Sequence, residues 1–141
     1  MSCVLRVSAI NIQEVLQSTR LRPYRVGADT AHFEVSDAKV GDFEQEIRDA
    51  TGYLRSNETQ LRKMFSSFEN IEGTLDFSVA WRDVAVQVDV LPPELLRLAG
   101  ELGLAIALSH YPLSEQDETS NNSSVVLLKY VDYYLARGLP V

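Results

Sequence analysis

A chain of 141 residues, 45% of them hydrophobic, has material for one core and no room for a second domain. Its net charge of -7, from 20 acidic against 13 basic residues, repels phosphate backbones, and no lysine- or arginine-rich cluster with interleaved aromatics overrides that field, which argues against nucleic-acid binding. The single cysteine, Cys3, cannot staple the chain, the opening residues lack the zones of a signal peptide, and no run approaches the roughly 18 apolar residues of a membrane span, so the expectation is a cytoplasmic protein with no membrane partner.

Cys3 to Ser8 alternates as a strand with Cys3, Leu5 and Val7 inward and Arg6 outward. Asn11 and Glu14 then have capping-box spacing ahead of a short helix, which Pro23 ends. Residues 27 to 31 read as loop, and Ala31 to Ser36 as a strand with Phe33 and Val35 on one side and His32, Glu34 and Ser36 on the other. From Asp42 the period becomes helical, because Phe43, Ile47, Ala50, Leu54, Leu61, Phe65 and Phe68 share one face. Asn57 with Gln60 would cap a second helix, but the apolar stripe passes through in phase, and one kinked helix is expected.

Leu75 to Val90 reads as a hairpin turning at Arg82 and Asp83. It would place Leu75, Phe77, Val79, Trp81, Val84, Val86, Val88 and Val90 on a core face and bring Asp76 opposite Asp89. Pro92, Pro93 and Glu94 open another helix, with Leu95, Leu98, Ala99 and Leu102 inward and Gly103 as its stop. Leu104 to Ser109 follows as a buried strand. From Phe33 onward the order is strand, helix, strand, strand, helix, strand. The expected class is therefore α+β, a two-layer sandwich of ferredoxin-like split β-α-β arrangement, extended by the N-terminal strand and helix.

That domain spans residues 1–113. Residues 114–124 contain no apolar side chain and form a polar linker. Residues 125–141 then read as an apolar C-terminal helix that docks on the domain or on a partner, and Leu128, Val131, Tyr134 and Leu135 would supply an oligomer contact.

The opening Met1 to Val7, Leu21 to Val26, Trp81 to Gln87, Pro92 to Leu96 and Leu108 to Pro112 together resemble a family of small stand-alone bacterial proteins of unknown function. The resemblance covers residues 1 to 113 and is carried mainly by Trp81-Arg82-Asp83 and by Pro92-Pro93-Glu94-Leu95-Leu96. It implies no catalytic residue. In similar sequences the loop after Val26 is longer, and the stretch after Ser114 is an addition here. In build, though not in motif, such small acidic proteins are similar to immunity proteins that neutralise bacterial toxins.

The residues show little chemistry. Cys3, His32 and His110 are the only soft ligands, no spacing resembles a metal site, no glycine-rich phosphate loop exists, and neither a cofactor nor catalysis is expected. Cys3 reads as a small apolar core residue and His110 as a surface residue at a strand end. Asp76 and Asp89, as opposed like charges, require Arg6, Arg82, a cation or a basic partner. Three functional readings remain. The first is a non-enzymatic protein-binding protein, of immunity type, engaging a basic toxin through Asp76, Asp89, Glu34, His32, Trp81 and Arg82. The second is a homo-oligomeric structural or regulatory module assembled through the C-terminal helix. The third is a small ligand- or metal-binding domain on the outer sheet face.

Overall fold

The computed structural model describes residues 1–112. The elements run β1 (Cys3–Ser8), α1 (Ile12–Gln17), β2 (Arg25–Val26), β3 (Thr30–Ser36), α2 (Phe43–Ser56), α3 (Glu58–Ser67), β4 (Glu72–Trp81), α4 (Pro93–Glu101) and β5 (Ala105–Pro112). The fold is α+β: four helices and one mixed five-stranded sheet of order β2-β3-β1-β4-β5, an arrangement consistent with a two-layer sandwich. The β2/β3, β3/β1 and β1/β4 pairs are antiparallel, which leaves β4 and β5, joined through α4, as the parallel pair. Among the described residues two compact units are distinguished, Met1–Val79 with Asp89–Ser109, and Ala80–Val88 with residues 110–112.

In the first unit the alternating residues Cys3, Leu5 and Val7 of β1, Ala31 and Phe33 of β3, and Leu75 and Phe77 of β4 form one buried sheet face. The helical stripe meets it with Ala50 and Leu54 from α2 and Leu61 and Met64 from α3, while Leu95, Leu98 and Ala99 come from α4. Asp42 starts α2 by accepting the amide of Gln45 at 3.2 Å, and its carboxylate also suits the positive end of the helix. Gly103, at φ 69°, stops α4 and lets the Leu104 amide reach back to the Ala99 carbonyl at 2.9 Å. Gly73 is required by close packing, since a Cβ there would lie 2.5 Å from both the Phe65 ring and a Leu104 methyl.

Three local expectations are corrected in this unit. The expected kinked helix is two helices separated at Asn57, whose side chain donates to the Tyr53 carbonyl instead of capping α3; Gln60 turns away to accept from Thr19 Oγ1 and the Arg20 amide. At the first helix Asn11 and Glu14 bond to one another, at 3.4 Å, and not to the backbone. The expected buried strand is β5, at the edge of the sheet among the described residues, and its residues are half-buried or exposed.

The hairpin is the largest departure. Strand β4 forms as expected through Val79, but no strand follows it before α4. The second hairpin strand that the ferredoxin-like order requires is thus absent among the described residues. A two-residue hairpin turn needs positive φ at one or both central positions, which Asn or Gly provides at low cost and Arg82 and Asp83 do not. Neither residue adopts positive φ. In the second unit the side-chain amide of Gln87 takes over the turn instead, accepting from the Arg82 amide at 2.9 Å and donating to the Ala80 carbonyl at 2.8 Å. The valines expected in the core are consequently outside: Val84, Val86, Val88 and Val90 are 52%, 76%, 70% and 68% exposed, and Trp81 is 37% exposed.

Candidate functional site: the outer sheet face

The antiparallel register builds the face opposite the helices row by row. In one row Arg25 of β2, His32 of β3, Arg6 of β1 and Thr74 of β4 stand side by side. In the next, Val4 of β1 stands between Glu34 and Asp76. All of these side chains are half-buried or exposed, so the face is open to solvent among the described residues. The Asp76 carboxylate has two partners: Arg6 Nη2 donates to Oδ2 at 2.8 Å, and Ser109 Oγ donates to Oδ1 at 2.7 Å. It faces Val4, not Asp89, which lies outside any strand. The like-charge conflict read from the hairpin does not arise.

A different like-charge conflict exists one row away. Side chains directly opposite in neighbouring strands sit about 4.5–5.5 Å apart at Cβ, so His32 is flanked by two guanidinium arms. Partial burial first, then Arg25 and Arg6, lower its proton affinity and favour the neutral imidazole. The Tyr24 ring meets the imidazole edge-on, with centroids 6.1 Å apart and planes at 69°. The Tyr24 amide also donates to the His32 carbonyl at 2.9 Å, extending the pairing of the short edge strand.

A second polar cluster lies on the helix side. Cys3 stands opposite Ser36 while Val4 stands opposite Glu34, so Val35 is an extra residue that bulges β3. The bulge turns Ser36, which alternation alone places outward, toward α2. There Ser36 Oγ donates to Asp49 Oδ2 at 2.6 Å, and Gln45 Nε2 donates to Asp49 Oδ1 at 2.7 Å. These residues border a shallow groove of about 590 Å3 lined by Glu34, Asp37, Arg48, Asp49, Tyr53 and Asn57 among others. Burial pushes the Tyr53 phenol up to about 12. On the same helix Glu46 is fully buried, with Oε1 accepting from the Ser78 amide at 3.1 Å and Oε2 without a hydrogen-bond partner. Burial pushes its carboxyl up to about 7; the Ser78 amide opposes this, and Asp42, Asp49 and Asp76 add to it. Burial, with Glu46, Asp76 and Asp49 nearby, likewise raises the Cys3 thiol, so it is held protonated and is no nucleophile.

Of the residues singled out from sequence, the structure brings His32, Glu34 and Asp76 onto one face. Trp81 ends β4 and Arg82 follows it in the second unit, while Asp89 lies in neither row. Leu128, Val131, Tyr134 and Leu135 lie outside the described residues. Sequence reading missed Arg25 and Tyr24 as site residues, although Gly27 and Asp29 between Val26 and Thr30 are a hairpin signal that would have paired them with His32. It also missed Glu46, three residues after Phe43 and four before Ala50 on the apolar stripe. No group of three or more His, Cys, Asp or Glu side chains able to hold a metal occurs among the described residues, and no helix there is long and apolar enough to cross a membrane. Compared with protein-family models, with curated proteins and with solved structures, the chain matches none.

Proposed function

We propose that the protein works by binding another protein and performs no chemistry of its own. The observation that carries this reading is the segment after β4, where Val84, Val86 and Val88 alternate along the chain and all face solvent. Exposed apolar residues scattered singly are ordinary, but three presented in succession on one short stretch form a contact surface that water solvates poorly. The Gln87 amide, held against the end of β4, keeps that stretch in place before any partner arrives.

Charge sets the kind of partner. At a net charge of -7, encounter with a basic protein is accelerated and encounter with an acidic one is suppressed, which is the relation of an immunity-type inhibitor to a cationic toxin. The test is to tag the chain and its Val86→Asp, Val88→Asp double variant, recover both from their own cells at low salt, and identify stoichiometric companions by mass spectrometry. A single basic protein held by the parent and lost from the double variant supports the reading. A parent chain recovered alone as a monomer overturns it, and recovery as a defined oligomer that the variant dissolves replaces it with self-assembly.

A further inference from the structure

We propose that Arg25, His32 and Arg6, aligned on three adjacent strands of the outer sheet face, form a binding site for a phosphate-type oxyanion, the terminal group of a phosphomonoester. This goes beyond the protein-binding reading and does not depend on it. Two arginines directly opposite one histidine oppose its protonation, and nothing in the packing demands them there, since none of the three belongs to the buried core. A local conflict of this kind is expected where function compensates it.

Four arginines elsewhere are arranged differently: Arg48, Arg55, Arg62 and Arg97 each face a carboxylate on their own or a neighbouring helix. Arg20, Arg22 and Arg82, like Arg25, are in no ion pair among the described residues, so Arg25 is set apart by its place beside His32. Arg6 does have one, and that contact acts as a brace: Asp76, itself held by Ser109, takes one Nη and leaves the other donors of the guanidinium available. Tyr24 braces the imidazole in the same way. The three side chains therefore stand side by side on three adjacent strands of one solvent-facing sheet face, with His32 in the middle.

The shape of that donor set selects the ligand. A carboxylate is satisfied by the two parallel donors of one arginine, whereas a tetrahedral oxyanion offers three or more acceptor oxygens in different directions and suits donors arriving from several sides. A polyanion is disfavoured by Glu34 and Asp76 in the adjacent row and by the net charge of the chain. The groups facing His32 are Arg25 from β2, Arg6 from β1, Glu34 from its own strand and Asp76 of β4 behind Arg6. Partial burial first, and then the two arginines, favour the neutral imidazole, and a bound dianion opposes the arginines' share of that effect.

The His32 imidazole is thus its own reporter. Its NMR signals are followed from pH 5 to pH 8 in inorganic phosphate, in O-phosphoserine and in chloride at matched ionic strength. The expected result is a saturable shift with both phosphates and a His32 proton affinity raised about tenfold or more over chloride. Arg25→Gln should lower phosphate affinity about tenfold, and Arg22→Gln, outside the row, should leave it unchanged. Equal or tighter binding of phosphoserine assigns the site to a phosphomonoester; its exclusion, with inorganic phosphate still bound, overturns that assignment and leaves a site for the free ion. Identical His32 titrations in phosphate and chloride, or equal losses in the two arginine variants, overturn the site altogether.

Discussion

Replacing Glu46 by Gln leaves the shape of the core unchanged and removes the only fully buried carboxyl among the described residues, so the effect on stability has a sign and a pH window that can be worked out beforehand. In the folded chain the carboxyl is raised from 4.5 to about 7. The folded state therefore keeps a proton that the unfolded chain gives up. Stability from this group is complete below about 4.5, falls as pH rises toward 7, and stays at its reduced level above that. The gap converts to roughly 3 kcal/mol, an order-of-magnitude figure comparable to a large part of a small domain's total stability. Gln retains the oxygen that accepts from Ser78, and its amide nitrogen occupies the position of the unpartnered Oε2 at a cost that does not vary with pH. Urea unfolding of parent and Glu46→Gln at intervals from pH 4 to pH 8 should give curves that separate by roughly 3 kcal/mol across that window, in favour of the variant as pH rises. Glu46→Met should show the same pH trend, and it orphans nothing, because the Ser78 amide also donates to the Ser2 carbonyl at 2.8 Å. Parallel curves for parent and variants would refute the reasoning, since they would mean that Glu46 titrates alike in the folded and unfolded chains.

Other perturbations test the packing and the departure from the expected hairpin. Gly73→Ala should cost about 1–3 kcal/mol in chemical denaturation, because the added methyl meets the Phe65 ring and the Leu104 methyl well inside van der Waals contact. Val79→Ala, on the buried face of β4, should cost about 1 kcal/mol or more, whereas Val86→Ala should stay within about 0.5 kcal/mol of the parent. Equal losses at those two valines would restore the two-stranded hairpin. Asp76→Asn should cost at most about 1 kcal/mol, measured as a midpoint shift that shrinks with added salt, because the Arg6 side chain it faces is 44% exposed.

The parts of the fold that were legible in the sequence are those in which period and end signals agree. The stripe from Phe43 through Phe65 lies against the core, α4 begins at its prolines and ends before Gly103, and Cys3, Leu5 and Val7 are inward as their alternation requires. The hairpin failed because alternation is necessary for a strand and not sufficient: the valines have the period, but Arg82 and Asp83 lack the turn chemistry that would bring them back along β4. Ser36 was misplaced because a bulge changes the facing of a residue without altering the pattern that precedes it. Glu46 was hidden by habit of reading, as a charged residue on an apolar stripe is ordinarily assigned to its rim. The arginine row could not be seen at all from one strand at a time, because it exists only once β2, β3 and β1 are in register.

The chain of contacts from Ser109 through Asp76 to Arg6 crosses from the edge strand β5 over β4 to β1. One end of it is the last strand of the described chain, which is the edge of the sheet among the described residues and a place where another strand can add; the other end is Arg6, one of the two arginines opposite His32. Two occupants that never touch would then share one set of contacts, and by linkage whatever affinity one lends the other must be returned in equal measure. The coupling would reside in a single serine hydroxyl. Ser109→Ala should therefore leave oxyanion binding at the row intact while making it indifferent to what occupies β5, a comparison of two binding isotherms that reads communication across the sheet directly.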